Sequence, residues 1–148
     1  MRSVLPVSFT RTGDTLSFSN KAGSIIEIFV YNDGLFRVRH LPPDHKHVST
    51  DLPCSDLPMK QFKFVLTTLG EKYIVSTATV KLQISLEDGN FNLFWSSGEN
   101  TFLKDLAFRA YEYDRNGRVC HYVEQMPGDL HYGMGERSSP LELNGKRY

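Results

Sequence analysis

The sequence has little that would commit it to a specialised class. Cysteine is scarce, with only Cys54 and Cys120 in 148 residues. Two distant thiols define neither a disulfide framework nor a zinc site. One bridge between them and two unrelated thiols are both compatible with the count, and unrelated thiols fit it better. Charge bias is absent, since Lys+Arg and Asp+Glu are each 17. Without a basic footprint there is no electrostatic case for nucleic acid or for a polybasic membrane contact. Long apolar runs are also missing. The longest lies around Ile28–Tyr31, far short of the ~20 residues that a membrane-spanning helix needs. The segment Met1–Ser8 lacks the apolar core of a secretory signal. The chain therefore reads as soluble, with no export signal and no assigned compartment.

What the sequence does have is aromatic and apolar residues in short, regularly interrupted stretches. Ten Phe, seven Tyr and one Trp make 12% of the chain, and 40% is hydrophobic against 23% charged. Those proportions suit a globular domain, and the length suits one domain rather than two. Turn-forming clusters recur about every eight to twelve residues, the spacing of an all-β sandwich or barrel.

Residues 14–19 alternate so that Leu16 and Phe18 share a face. Residues 24–31 form a stronger strand, turned by Asn32-Asp33-Gly34 into 35–40. In that return strand Phe36 and Val38 face one way, and Arg37 and Arg39 the other. Further strands are expected at 61–67 and 72–76, with Gly70 between them. Strict alternation in 78–86 sets Val80, Leu82, Ile84 and Leu86 against Lys81, Gln83 and Ser85, which marks a half-buried strand. Asp88-Gly89 turns it into 91–95. Residues 107–113 and 118–124 flank Asn116-Gly117 as another hairpin. The only helical candidate is a turn or two near 99–106.

Residues 41–60 hold Pro42, Pro43, Pro53 and Pro58 and read as an irregular loop. His45-Lys46-His47 within it suits a solvated loop better than a metal site. About nine or ten strands with almost no helix must bury their faces sheet on sheet, so an antiparallel β-sandwich over residues 1–148 is the expected fold.

The last twenty residues differ in texture. Tyr132-Gly133-Met134-Gly135-Glu136-Arg137 is followed by Pro140-Leu141 and Gly145-Lys146-Arg147-Tyr148. Two glycines two apart permit close backbone passage, and a following carboxylate can pin a loop by accepting backbone N–H groups. The string lacks the third glycine and the strand–helix context of a phosphate-binding loop.

This motif resembles the N-terminal domain of family 31 glycoside hydrolases, the α-glucosidase and α-xylosidase group. The matching positions are Tyr132, Gly133, Gly135, Glu136, Arg137, Pro140, Leu141, Gly145, Lys146, Arg147 and Tyr148. Met134 departs mildly, standing where leucine is commoner. The Asp33–Arg39 strand, the Thr79–Ile84 strand and the Asn90–Trp95 return also resemble the family, so the likeness spans most of 24–148.

The resemblance implies a galactose-mutarotase-like sandwich. It places the chemistry in a following (β/α)₈ barrel, where two aspartates work as a retaining pair. Such a barrel needs roughly 250 residues, and no stretch here shows strand–helix alternation. The expectation is therefore a non-catalytic domain: a fragment, a truncated gene model or an isolated N-terminal domain. Its partners would be the barrel of the same polypeptide and the parent's α-glucoside substrate, with no metal or organic cofactor. No sugar contact is assigned to a named residue.

Two other readings are open on the residues alone. An epimerase-like enzyme would use a His acid and a Glu base, for which His121, His131, Glu124 and Glu136 are present, although Glu136 suits a structural role better. A stand-alone carbohydrate-binding module would stack sugars on exposed aromatics, for which Trp95, Tyr111, Tyr113 and Tyr122 are the candidates. In a sandwich such strand aromatics more often belong to the core.

Overall fold

The computed structural model describes residues 2–3, 8–43, 62–87, 91–114, 116 and 118–129. Twelve strands run through them: β1 (Arg2–Ser3), β2 (Ser8–Thr12), β3 (Thr15–Ser19), β4 (Ile25–Val30), β5 (Phe36–Leu41), β6 (Val65–Leu69), β7 (Lys72–Ser76), β8 (Lys81–Ser85), β9 (Asn92–Ser97), β10 (Asn100–Lys104), β11 (Tyr111–Tyr113) and β12 (Val119–His121). Three antiparallel sheets result, ordered β2-β3-β4-β5, β10-β9-β8-β7-β6 and β1-β11-β12.

The two large sheets are meanders whose inner faces follow from alternation. Leu16, Phe18, Ile26, Ile28 and Val30 come from one, and Val75, Leu82, Ile84, Leu93 and Trp95 from the other. Each side chain of this size contributes about 1.5–3 kcal/mol on burial. Aromatic contacts join the layers, with Phe18 edge-on to Tyr73 at 5.4 Å and Phe36 to Trp95 at 5.1 Å. Outside the core, Arg39 pairs with Glu27 and stacks on Phe29 at 5.2 Å, as the alternation of β5 requires.

Polar groups at the strand ends hold the sheets in register. The Asn32–Leu35 turn is closed by Asn32 Oδ1, which accepts Gly34 and Leu35 N–H groups. Asp33 then clamps the turn between β7 and β8. Its carboxylate accepts Ala78 N–H at 2.8 Å, and its carbonyl accepts the Thr77 and Thr79 hydroxyls.

The all-β antiparallel architecture is as expected, with several local differences. The segment near 99–106 is strand β10, not a helical turn, because Gly98 (φ 58°) reverses the chain onto β9. A positive φ at the first turn residue only is the type II′ pattern. Gly13 (φ 58°) does the same between β2 and β3. The strand expected from 61 begins at Val65; before it, Phe62 N–H donates to Asp14 Oδ2 at 2.8 Å and Phe64 fills a core site. The strand expected over 107–113 is shortened to Tyr111–Tyr113, since residues 106–109 form a tight turn. Residues 44–60, with His45, His47 and Cys54, lie outside the described residues, as do Asp88-Gly89 and 130–148.

Candidate functional site

The described side chains gather chemistry at one place, where β5 meets the small sheet. The β11–β12 hairpin is set by Asp114, whose Oδ1 accepts Asn116 and Arg118 N–H groups while Oδ2 binds Arg118 Nε at 2.6 Å. This turn brings Tyr111 opposite His121 in register. Val38 and His40 project from β5 on the inward parity of Phe36. Together Val38, His40, Tyr111, Val119, Cys120 and His121 line a partly open cavity of about 270 Å³.

Asp105 lies beneath it and is wholly buried. A buried carboxylate is tolerated only with full hydrogen bonding, and Asp105 has it. Oδ2 accepts Leu93 N–H at 2.8 Å, Oδ1 accepts His121 Nε2–H at 2.7 Å, and the Tyr111 hydroxyl also bonds to it. Burial, and then the Asp105 charge, push the Tyr111 hydroxyl well above the ordinary phenol range. The His121 ring stacks on Tyr111 with centroids 4.5 Å apart.

His40 sits edge-on to Tyr111 and Tyr113. Burial lowers its pKa to about 4, so it is neutral at physiological pH. Its Nε2 is 3.1 Å from the buried Ser24 hydroxyl, while Nδ1 is buried without a partner. Cys120 is a half-buried free thiol on the cavity wall.

The arrangement is structural in character. No carboxylate lines the cavity among the described residues, whereas a retaining glycosidase needs two carboxylates ~5 Å apart across the bond. Five other described carboxylates are ion-paired: Glu27 with Arg39, Glu87 with Lys72, Glu112 with Arg109, Asp114 with Arg118 and Glu124 with Lys104. Among the described residues no group of three His, Cys, Asp or Glu side chains can hold a metal ion.

Of the epimerase-like set, only His121 and Glu124 lie among the described residues. Glu124 is bound to Lys104 and His121 to Asp105, and His131 and Glu136 lie outside the described residues. Trp95, Tyr111 and Tyr113 are core aromatics, and half-buried Tyr122 stacks under Arg109 at 4.8 Å. Of the motif, Tyr132, Gly133, Gly135, Glu136, Arg137, Pro140, Gly145 and Arg147 all lie outside the described residues.

His40 and Asp105 were not singled out from sequence. For His40 the signal was its parity with Phe36 and Val38, which puts an imidazole on an apolar face. For Asp105 it was a lone carboxylate between Leu103 and Leu106 at a strand end.

The described strands form antiparallel sheets around one apolar core, an all-β sandwich. The chain matches the family described as the glycosyl hydrolase 31 N-terminal galactose mutarotase-like domain over residues 25–148, and it belongs to that family. Among solved structures it is similar to the Flavobacterium johnsoniae family 31 dextranase complexed with glucose, at 18% identity and a TM-score of 0.81. A mutant of that dextranase complexed with isomaltotriose gives the same values. In both cases the likeness covers 98% of this chain but 18% of the dextranase. No curated protein matches.

Proposed function

We propose that this chain is the non-catalytic N-terminal sandwich of a family 31 glycoside hydrolase. It packs on the catalytic (β/α)₈ barrel of the same polypeptide and contributes to the rim of the substrate pocket. The parent cleaves α-glucosidic bonds with retention, using two barrel carboxylates. The observation that carries this reading is family membership over residues 25–148. In the sequence the Tyr132–Tyr148 motif stands at the C-terminal end of the matched span, and glycines two apart are the residue type that permits close backbone approach.

Sequencing the transcript beyond the codon for Tyr148 tests the proposal. An open frame of several hundred codons with strand–helix alternation is expected. A stop codon at that point would overturn it.

A further inference from the structure

The edge of a sheet can add another strand, and proteins ordinarily blunt it with charge, proline, bulges or shortness. The other described edges are blunted in this way. Strand β10 is broken by the register shift between Thr101 and Leu103 and ends on Lys104. Strand β5 carries Arg37 and Arg39, and β2 carries Arg11. The small sheet is bounded by β1 and β12, of two and three residues. Strand β6 has none of these devices. It reads Val65-Leu66-Thr67-Thr68-Leu69, without charge or proline, in unbroken register with β7. It ends the five-stranded sheet, with no neighbour on its other side among the described residues.

The side chains of β6 divide by parity. Leu66 and Thr68 lie opposite Val75 and Tyr73, which pack in the core. Val65, Thr67 and Leu69 therefore take the outer face, where Val65 is 64% and Leu69 60% exposed. The backbone divides in the same way. The β6–β7 hairpin closes at Leu69–Lys72 across Gly70 and Glu71, and the closing pair of a two-residue loop is hydrogen-bonded. Alternation then directs the N–H and C=O groups of Leu66 and Thr68 to the free edge.

The sequence around this edge is complementary to itself. An antiparallel copy related by a two-fold axis at Thr67 sets Leu66 against Thr68 of the copy, so every outward N–H and C=O finds a partner. On the outer face Val65 meets Leu69 and Thr67 meets its own equivalent. Beyond the strand, Lys63 meets Glu71 at both ends. Both residues are exposed, and neither is in an ion pair among the described residues. Apolar, threonine–threonine and opposite-charge pairs are the combinations that stabilise strand pairing. Moving the axis by one residue sets Lys63 against Leu69 or Tyr73 instead, and both charge pairs are lost.

We propose that β6 is a self-association edge, at which two copies of this chain join their five-stranded sheets antiparallel about a two-fold axis at Thr67. The charge match at Lys63 and Glu71 selects a second copy as the occupant. Such an interface is isologous and closes at the dimer. Five paired residues make a small contact, so the association depends on concentration.

The test is analytical ultracentrifugation of the native polypeptide carrying this sequence, over a concentration series. A monomer–dimer equilibrium is expected. Val65→Lys should abolish the dimer and leave melting of the monomer unchanged, since Val65 is exposed. Lys63→Glu should weaken the dimer by about tenfold, because two attractive pairs become repulsive. Adding Glu71→Lys should restore it, because the charges have only exchanged ends. Thr67→Cys reports the register. The two thiols would meet at the axis in a non-hydrogen-bonded pair, with Cα atoms about 4.5 Å apart, within disulfide range. Mild oxidation should then give a covalent dimer linked through position 67, and Thr101→Cys on the bulged edge should not cross-link.

A native polypeptide that stays monomeric at every concentration would overturn the proposal. So would a dimer indifferent to Val65→Lys, a charge swap that fails to rescue, or a dimer that Thr67→Cys does not capture. Each of these failures leaves the proposed function standing.

Discussion

Acidification should weaken the fold through His40 well before the carboxylates titrate. Burial lowers this imidazole from 6.5 to about 4. The unfolded chain therefore binds a proton that the folded chain refuses across that interval, and stability rises with pH there. The contribution is complete above about pH 6.5, falls as pH drops toward about 4 and changes no further below that. The full shift corresponds to about 3 kcal/mol, and discounting for the solvated part of the ring leaves about 2 kcal/mol. In a domain of this size that lowers the melting temperature by about 6 °C.

The assay is thermal unfolding from about pH 7.5 to about pH 4.5, comparing wild type with Ser24→Ala/His40→Phe. The double substitution keeps an aromatic edge against Tyr111 and Tyr113, removes the titrating group, and leaves no buried hydroxyl unpaired. Glu87 and Asp114 are held below the usual carboxylate range, chiefly by hydrogen bonds from Lys72 and Arg118. Their contributions are present above the unfolded carboxyl range and are lost only as pH falls below it, equally in both proteins. The two proteins should diverge between about pH 6.5 and about pH 4.5. Parallel curves across that window would refute the reasoning.

Other perturbations have equally definite expectations. Leu82→Ala or Ile84→Ala, each wholly buried between the large sheets, should cost about 3 kcal/mol in urea unfolding. Asp105→Ala should cost at least as much, because Leu93 N–H, the Tyr111 hydroxyl and His121 all lose their acceptor. The loss should exceed that of Glu124→Ala, whose partner Lys104 is solvated, at about 0.5 kcal/mol. Gly98→Val should cost about 1–2 kcal/mol through its left-handed φ, with nothing within 4 Å of the added Cβ to blame instead. Gly135→Val in the parent should lower melting of the domain–barrel unit, and unchanged melting would remove the physical basis of the motif.

The large sheets were legible because alternation is a strong signal when one face is buried. Leu82 and Ile84 against Lys81 and Gln83 left no other assignment. Strands β2 and β10 are hard to read in the sequence for one shared reason. Hairpins were sought at Asn-Gly and Asp-Gly, whereas β2–β3 and β9–β10 turn on Gly13-Asp14 and Gly98-Glu99 with glycine first. Strand β10 also begins with polar Asn100 and Thr101 and bulges at Phe102, which erases its period of two. The 107–113 stretch was overextended because composition cannot foresee a phenylalanine in the left-handed region. Of the candidate site, His121 was visible as a strand histidine, but its tie to Asp105 joins residues sixteen apart and is set by the small sheet. Burial of Trp95, Tyr111 and Tyr113 followed from strand position, which is why they form core rather than a sugar platform.

The most direct test of the central claim is hydrolysis of an α-glucoside, with the anomer of the released sugar followed by NMR. The native polypeptide that carries this sequence should release the α-anomer first, and the purified 148-residue chain should release nothing. Turnover by the short chain alone would contradict the account, because it would put a working carboxylate pair inside the sandwich.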